Sequence, residues 1–504
     1  MTRARRTSPP DATCADGQAL AAIRRLLPTV QFNWMARVAR IAPLALLASC
    51  TVQNALPDLP QATPPAWHAG TNEGAAGLRP DLEHWWQVFH DPTLDRLVER
   101  ALGENLNVRI AGQRLIAARA LHHRSRSEFW PNLNFRVYEE TAPGGGTGYL
   151  EMGFDSSWEF GFFGRAQSSA RINLADADNA AIDDAAARVS VVAEVVRSYV
   201  ELRAAQARAL ILDDVVRSRQ AQVGLADARL RARIGSRIEA ERARVELRQA
   251  QADAGETAAA MVQSEQALAV LLGTFATHDL VAPPAVPAAQ PALPEVSVGE
   301  SPADLLRTRP EIRRAEQNVL HAAGELGIAR ADLYPRLSIV GTLISSTALT
   351  GDLDRPNKAI PLIGPAISIP LFDWGARRDV VSAREAALSA ALLAYREAVL
   401  EAVAEVEGAL AQFAARTHAL SLAQETQAAN ERAAQAARKL QQIGLGDGVE
   451  SASADIAFAQ SRLLASNALR ERALGYVAVY KSLGGAMPPA RTVETAPDRS
   501  GSAR

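Results

Sequence analysis

The sequence predicts an α+β membrane protein. Four short strands per chain are to be shared among several copies in one transmembrane β-barrel, twelve-stranded if the copies are three, and the rest is very long helix, in an internally duplicated chain. Three observations lead there. Two stretches of more than a hundred residues contain no proline, 165–282 and 371–487, and carry apolar residues at helical spacing. Four short segments alternate apolar and polar residues strictly, as strands with one apolar face do. The second half of the chain repeats the first at an offset of 211 residues.

The N-terminal part comes first. Ile41–Ala48 is apolar but too short to cross a bilayer as a helix, which takes about 20 residues. It fits the core of a signal peptide, with Arg37 and Arg40 as its basic flank. Translation is expected to start at Met35, with 1–34 as an upstream extension. Leu47-Ala48-Ser49-Cys50 resembles a bacterial lipobox, in which the chain is cut before the cysteine and the thiol is acylated. Residues 1–49 are therefore read as extension and lipoprotein signal, and Cys50 as the lipidation site. The plainer reading is an ordinary signal with a chance cysteine. Thr51 follows, not an aspartate of the kind that retains such lipoproteins in the inner membrane. The other cysteine, Cys14, falls in the discarded part, so the mature chain has no disulfide.

Composition narrows the class. The net charge of −2 gives no reason to expect nucleic acid. Alanine is about one residue in five and aromatics are 5%, as in long helices packed through small side chains. No segment past Cys50 is apolar for 18 residues, so no transmembrane helix is expected.

The repeat is one of whole units. "WPNLNF" (Trp130–Phe135) corresponds to "YPRLSI" (Tyr334–Ile339). Gly164-Arg165 aligns with Gly375-Ala376, Ala193-Glu194-Val195 with Ala404-Glu405-Val406, and Leu272-Gly273 with Leu483-Gly484. The first repeat is placed at 50–280 and the second at 301–485. A Pro-rich linker, 281–300, joins them and is expected to stay extended; 486–504 reads as a disordered tail.

Each repeat opens with a helix, expected at Asn107–Phe129 and Pro310–Leu333. Strand pairs follow at about 132–160 and 336–371. Leu133, Phe135 and Val137, then Met152, Phe154, Trp158 and Phe160, share one face; Glu151, Asp155 and Glu159 share the other. The second pair offers Leu337, Ile339, Gly341 and Leu343, then Ile367, Ile369 and Leu371. Helical hairpins complete the repeats at 165–273 and 375–484, with turns at Arg233–Ser236 and Ile443–Gly448 and the glycines Gly235, Gly444, Gly446 and Gly448 at the tips. In the second hairpin Leu388, Leu392, Tyr395, Val399, Val403, Val406, Leu410 and Phe413 form a heptad-like seam. The longer arm, some 65–70 residues, reaches about 100 Å.

Four strands cannot close a pore, since barrels start at about eight, and an open sheet edge in lipid costs several kcal/mol per unpaired group. Several chains must share a barrel. The plainer alternative, two soluble hairpins packed together, stays open, because alternation does not tell lipid from a protein core.

"WWQVFHDPTLDRLVERALGENLNVRIAGQRLIAARA" (Trp85–Ala120), "DLLRTRPEIRRAEQNV" (Asp304–Val319) and "SIPLFDWGARRDVVSAREA" (Ser368–Ala386) resemble outer-membrane efflux proteins of the TolC superfamily, nearest the lipidated NodT-type outer-membrane factors. The resemblance spans Thr51 to about Gly485. It implies a homotrimer in the bacterial outer membrane, its barrel continued through the periplasm by a long α-helical barrel, lipid-anchored through Cys50. It also implies a passive exit duct for small molecules such as drugs. Its partners would be a periplasmic adaptor protein and an inner-membrane transporter, with the resistance-nodulation-division type expected and major-facilitator and type I secretion systems open. The alternative from another class is a lipid-anchored periplasmic coiled-coil adaptor.

A duct does no chemistry. His122-His123 lacks metal-site spacing, Gly144–Gly146 is a loop without a following Lys-Ser/Thr, and Ser451, Ser453 and Asp455 have no histidine nearby. No catalytic residue, metal or cofactor is expected beyond the covalent lipid. In the family the periplasmic helix tips close like an iris, with acidic residues a few positions past a tip glycine lining the constriction. Gly444 matches that glycine and Glu450 the acid; Glu239 is its counterpart in the first repeat, where Arg233 replaces the glycine. Rings of three such residues can favour cations or tune opening. Arg237 and Asp447 are expected to tie neighbouring tips. The plainer reading is solvated charge at helix ends. Trp85, Trp86 and Phe89 are read as packing residues rather than as an external brace.

Overall fold

The computed structural model describes residues 84–125, 127–140, 149–275, 281, 293, 309–348 and 359–485. Cys50, the signal segment and the C-terminal tail lie outside them. A 3₁₀ turn (Trp85–Phe89) leads into α1 (Pro92–Glu104), α2 (Leu106–Ser125), β1 (Asn132–Glu140), β2 (Tyr149–Glu159), α3 (Arg165–Arg231) and α4 (Arg237–Leu271). The second half supplies α5 (Pro310–Ala331), β3 (Arg336–Ala348), β4 (Ala359–Ser368), α6 (Ala376–Gln442) and α7 (Gly448–Ser482). Both α3 and α6 have 67 residues, and both α4 and α7 have 35. None of the described helices is long and apolar enough to cross a membrane.

Several elements differ from expectation. Helix α2 stops at Ser125 instead of Phe129. The chain beyond it runs through tight turns, Ser127 N to Arg124 O and Trp130 N to Ser127 O, into Pro131, whose ring disfavours helix just before it. Helix α1 was not anticipated, although Asp91 accepts from Thr93 N at 2.9 Å and Pro92 fills the first helical position. Phe160, Ile369 and Leu371 fall just past the strands, next to Pro370 in the last case.

The strands form one antiparallel sheet in the order β1-β2-β3-β4. The two expected pairs are thus joined through β2 and β3, where Phe154 sits opposite Leu343 and Trp158 opposite Ile339. The register puts Phe135, Phe154, Leu343 and Ile339 on one face and Arg136, Glu151, Asp155 and Thr342 on the other. That second face is polar on β1 and β2 but carries Val340, Ile344 and Leu362 on β3 and β4. β1 and β4 are open edges within the chain.

The hydrophobic core lies where the short N-terminal helices meet the middle of the long ones. Trp85 stacks on Tyr480 with ring centroids 5.2 Å apart, and Phe89 meets Tyr476 edge-on at 5.8 Å. Trp85, Trp86 and Phe89 are all buried, as packing residues are. Tyr199 donates to Asp91 and accepts from Arg203 Nε at 2.8 Å, and burial pushes its hydroxyl pKa up. The seam residues of α6 are buried or half-buried, with Val406 fully so. The Pro-rich linker is not free along its length: Val281 and Leu293 are buried in this core, and Leu293 O accepts from Arg472 Nη1 at 2.9 Å. Arg309, just ahead of α5, is buried and donates to Ala402 O at 3.0 Å and to Glu405, which locks α5 to α6.

Candidate functional site

The candidate site is the pair of helix tips. Helix α3 ends with Arg229 and Arg231 in its last turn, where cations offset the helix dipole. Arg233 then turns left-handed, φ 59°, and Ile234 N and Gly235 N both donate to Arg229 O, at 3.0 and 3.1 Å. A Cβ on Gly235 would lie 2.9 Å from Arg229 Cβ, so only glycine fits. Ser236 caps α4: its Oγ accepts from Glu239 N at 3.1 Å, and Glu239 reaches back to Ser236 N at 3.5 Å.

The second tip repeats the plan. Gly444 takes the left-handed turn, φ 77°, and Leu445 N donates to Leu440 O at 2.9 Å. A Cβ on Gly446 would come within 2.9 Å of Gln441 N. Asp447 caps α7 through Val449 N at 3.1 Å, and Gly448 opens that helix. Arg233 thus occupies the same conformation as Gly444, 211 positions on, which fixes the register of the first tip.

One residue that sequence reasoning missed draws the tips together. Arg229 Nη1 lies 3.2 Å from Asp447 Oδ2, and its Nε lies 3.8 Å from Glu239 Oε1. Gln222 Nε2 adds a contact to Ser453 Oγ at 3.5 Å. Nothing in the sequence singles Arg229 out among the arginines near the helix end. Of the predicted site residues, Glu239 and Asp447 meet at Arg229. Glu450 and Arg237 are exposed, and no ion pair holds either among the described residues. Asp447 therefore ties the second tip to the first through Arg229. The described residues contain no cluster able to hold a metal ion.

Long helical hairpins ending in paired, charge-linked tips, joined to a sheet with one apolar face, are the architecture of an outer-membrane channel chain. The chain belongs to the outer membrane efflux protein family, whose model matches residues 97–274 and 302–485. It is similar to the solvent efflux pump outer membrane protein SrpC of Pseudomonas putida, 27% identical over 467 residues that span 88% of this chain and 96% of that protein. It is also similar to nodulation protein T of Rhizobium leguminosarum bv. trifolii, 28% identical over 341 residues, 65% of this chain and 71% of the relative. Among solved structures, the outer-membrane channel OprN matches with a TM-score of 0.73 and 28% identity over 86% of this chain and 99% of that one. The family is one of transport channels, and the chain is an efflux duct of the outer membrane, not a periplasmic adaptor.

Proposed function

We propose that three copies of this chain close one twelve-stranded barrel in the outer membrane, continue it as a helical barrel through the periplasm, and serve as the passive exit duct of a tripartite pump. The observation that carries this reading is the sheet. Its strands are 9, 11, 13 and 10 residues long, close to the 9–11 or so that a tilted strand needs to span. One face is apolar, and the outer edges of β1 and β4 pair with no other described strand. Lipid does not tolerate such edges, and successive copies pairing β4 with β1 remove them. The 67-residue helices, about 100 Å long, supply the periplasmic reach.

Duplication of one ancestral unit is supported by the matched backbone. Left-handed Phe163 and Gly164 recur as Trp374 and Gly375, Arg233 as Gly444, and Gly273 as Gly484, each pair 211 residues apart. Acylation of Cys50 would anchor each copy. A periplasmic adaptor would dock on the helices, and an inner-membrane transporter of the resistance-nodulation-division type would feed the duct. Relatives named for solvent and toluene efflux support small apolar molecules as cargo.

The tips form the gate, held partly by their charges. Glu239→Ala and Glu450→Ala are expected to raise single-channel conductance in planar bilayers; unchanged conductance removes them from the gate. The assembly itself is tested by unheated gel electrophoresis of detergent-extracted outer membrane. A folded trimer band is expected, and a lone, water-soluble folded subunit would overturn the duct.

A further inference from the structure

Two turns that lead from strand to helix share one strained conformation and differ in what their aromatic side chain meets. Phe163 and Trp374 both have φ 57°, and each is followed by a left-handed glycine, Gly164 at 82° and Gly375 at 89°. Left-handed backbone is unfavourable for any residue with a Cβ. Spending it twice, 211 residues apart, aims both rings the same way relative to the helix that follows.

In the first half the aim has a target. Phe163 stacks on Tyr334, ring centroids 4.9 Å apart and planes 14° from parallel. Tyr334 stands two residues before β3, the strand that neighbours β2 in the sheet. In the second half the same aim meets no such partner among the described residues. Trp374 is 88% exposed, and its ring touches only Phe372, itself exposed, among the described residues. The residue that corresponds to Tyr334 in the repeat is Trp130, two residues before β1. Trp130 is 70% exposed. The two orphan tryptophans lie at the feet of the two open edges, Trp374 beyond β4 and Trp130 before β1.

We infer that Trp374 of each subunit stacks on Trp130 of the next, so that an aromatic clasp at the foot of the barrel joins the chains as Phe163 and Tyr334 join the two halves within one. The inference rests on the trimer reading above. In that reading each chain already presents β4 to β1 of its neighbour, a head-to-tail contact that closes after three copies; the clasp adds the side chains that fasten this seam at its foot. The helices point the same way. Apolar Leu393 on α6 is exposed where its counterpart on α3, Ile182, is buried.

Full-length chain carrying Trp130→Cys and Trp374→Cys, its Cys14 leaving with the signal and its Cys50 thiol blocked by acylation, tests this when treated in outer membranes with a short bis-maleimide. The expected result is a ladder of covalent dimer and trimer on denaturing gels, absent from either single-cysteine variant. Phe163→Cys with Tyr334→Cys should cross-link within the chain and give no ladder. A trimer band on unheated gels without a ladder would overturn the clasp and leave the trimer standing; absence of any trimer from the unmodified chain would overturn the trimer reading itself.

Should the cysteine pair fail to assemble, Trp130→Ala, Trp374→Ala and their double variant decide. The clasp predicts that each single lowers the temperature at which the trimer band disappears by several degrees, that the double falls no further than the worse single, and that Trp374→Phe recovers most of the loss. Additive losses would mean two independent tryptophans seated in the lipid interface, and no clasp.

Discussion

Helices α3 and α6 have the same length and the same place in their repeats, yet one is wrapped and the other is half bare. Ile182 on α3 is 1% exposed while Leu393, 211 positions later, is 67% exposed; Ile211 is 3% exposed and Leu422 is 50%. The reason is position in the layer. Helix α3 has neighbours on both sides: Ile211 packs with Ala250 of α4 and Ala459 of α7, and Arg314 and Asn318 of α5 bond to Asp183 and Asn179 near Ile182. Helix α6 has α5 and α7 on one side, reached through Arg384–Glu325 at 2.8 Å and Arg438–Asp455 at 2.6 Å. No other described element packs broadly against it. An apolar side chain conserved in kind between two copies of a unit, but covered in only one, marks a surface that another molecule covers.

The largest effect should come from breaking the covered copy. Ile182→Asp buries an unpaired carboxylate and is expected to cost about 4 kcal/mol or more, so that full-length chain fails to accumulate in the outer membrane. Leu393→Asp carries the same change to the bare copy. It should leave the subunit's own fold within about 0.5 kcal/mol and abolish the trimer band on unheated gels. If Leu393→Asp assembles normally, α6 faces no neighbour and the contrast loses its meaning.

The tips offer a smaller contrast of the same kind. Glu239 is held by its capping box and by Arg229, whereas Glu450 makes no ion pair among the described residues. Arg229→Ala should release both Glu239 and Asp447. These contacts are partly exposed and contribute about 0.5 kcal/mol each. Two such contacts in each of three copies, about 3 kcal/mol together, would shift the open-to-closed ratio on the order of a hundredfold, seen as longer open times in planar bilayers. Glu450→Ala should change conductance less than Arg229→Ala; the reverse order would move the gate from the first tip to the second.

Much of this was legible in the residues. Long proline-free stretches bounded by the left-handed Gly164, Gly375 and Gly444, and by Gly235 where the first tip has no room for a Cβ, locate the hairpins, because helix interiors exclude proline and such turns select glycine. Strict alternation locates the strands. What stayed hidden depends on partners distant in sequence. Nothing local says that β2 pairs with β3, that Leu293 is pinned by Arg472, or that Arg229 bridges two tips over 200 residues apart. The capping signals of α1 and α4, Asp91-Pro92 and Ser236 with Glu239, were readable and went unused. The mixed second face of β3 and β4 shows the limit of alternation: Val340, Ile344 and Leu362 sit where the pattern asks for polar residues.

The finest contrast is between Arg233 and Gly444, one backbone conformation built with two residue types. An L-residue with a Cβ pays about 1–2 kcal/mol in the left-handed region. Glycine avoids that but loses more chain entropy on folding, offsetting about 0.4–1 kcal/mol of the gain. The balance favours glycine, so Arg233→Gly should stabilise the first tip by about 0.5–1 kcal/mol, and Gly444→Ala should destabilise the second by a similar amount. Far-ultraviolet circular dichroism melts of detergent-purified protein would read both. The signs matter more than the sizes. If Arg233→Gly destabilises, the Arg233 side chain makes contacts at the tip worth more than its backbone strain, which a neighbouring subunit or an adaptor could supply. The two tips would then differ in what they touch and not only in how they turn.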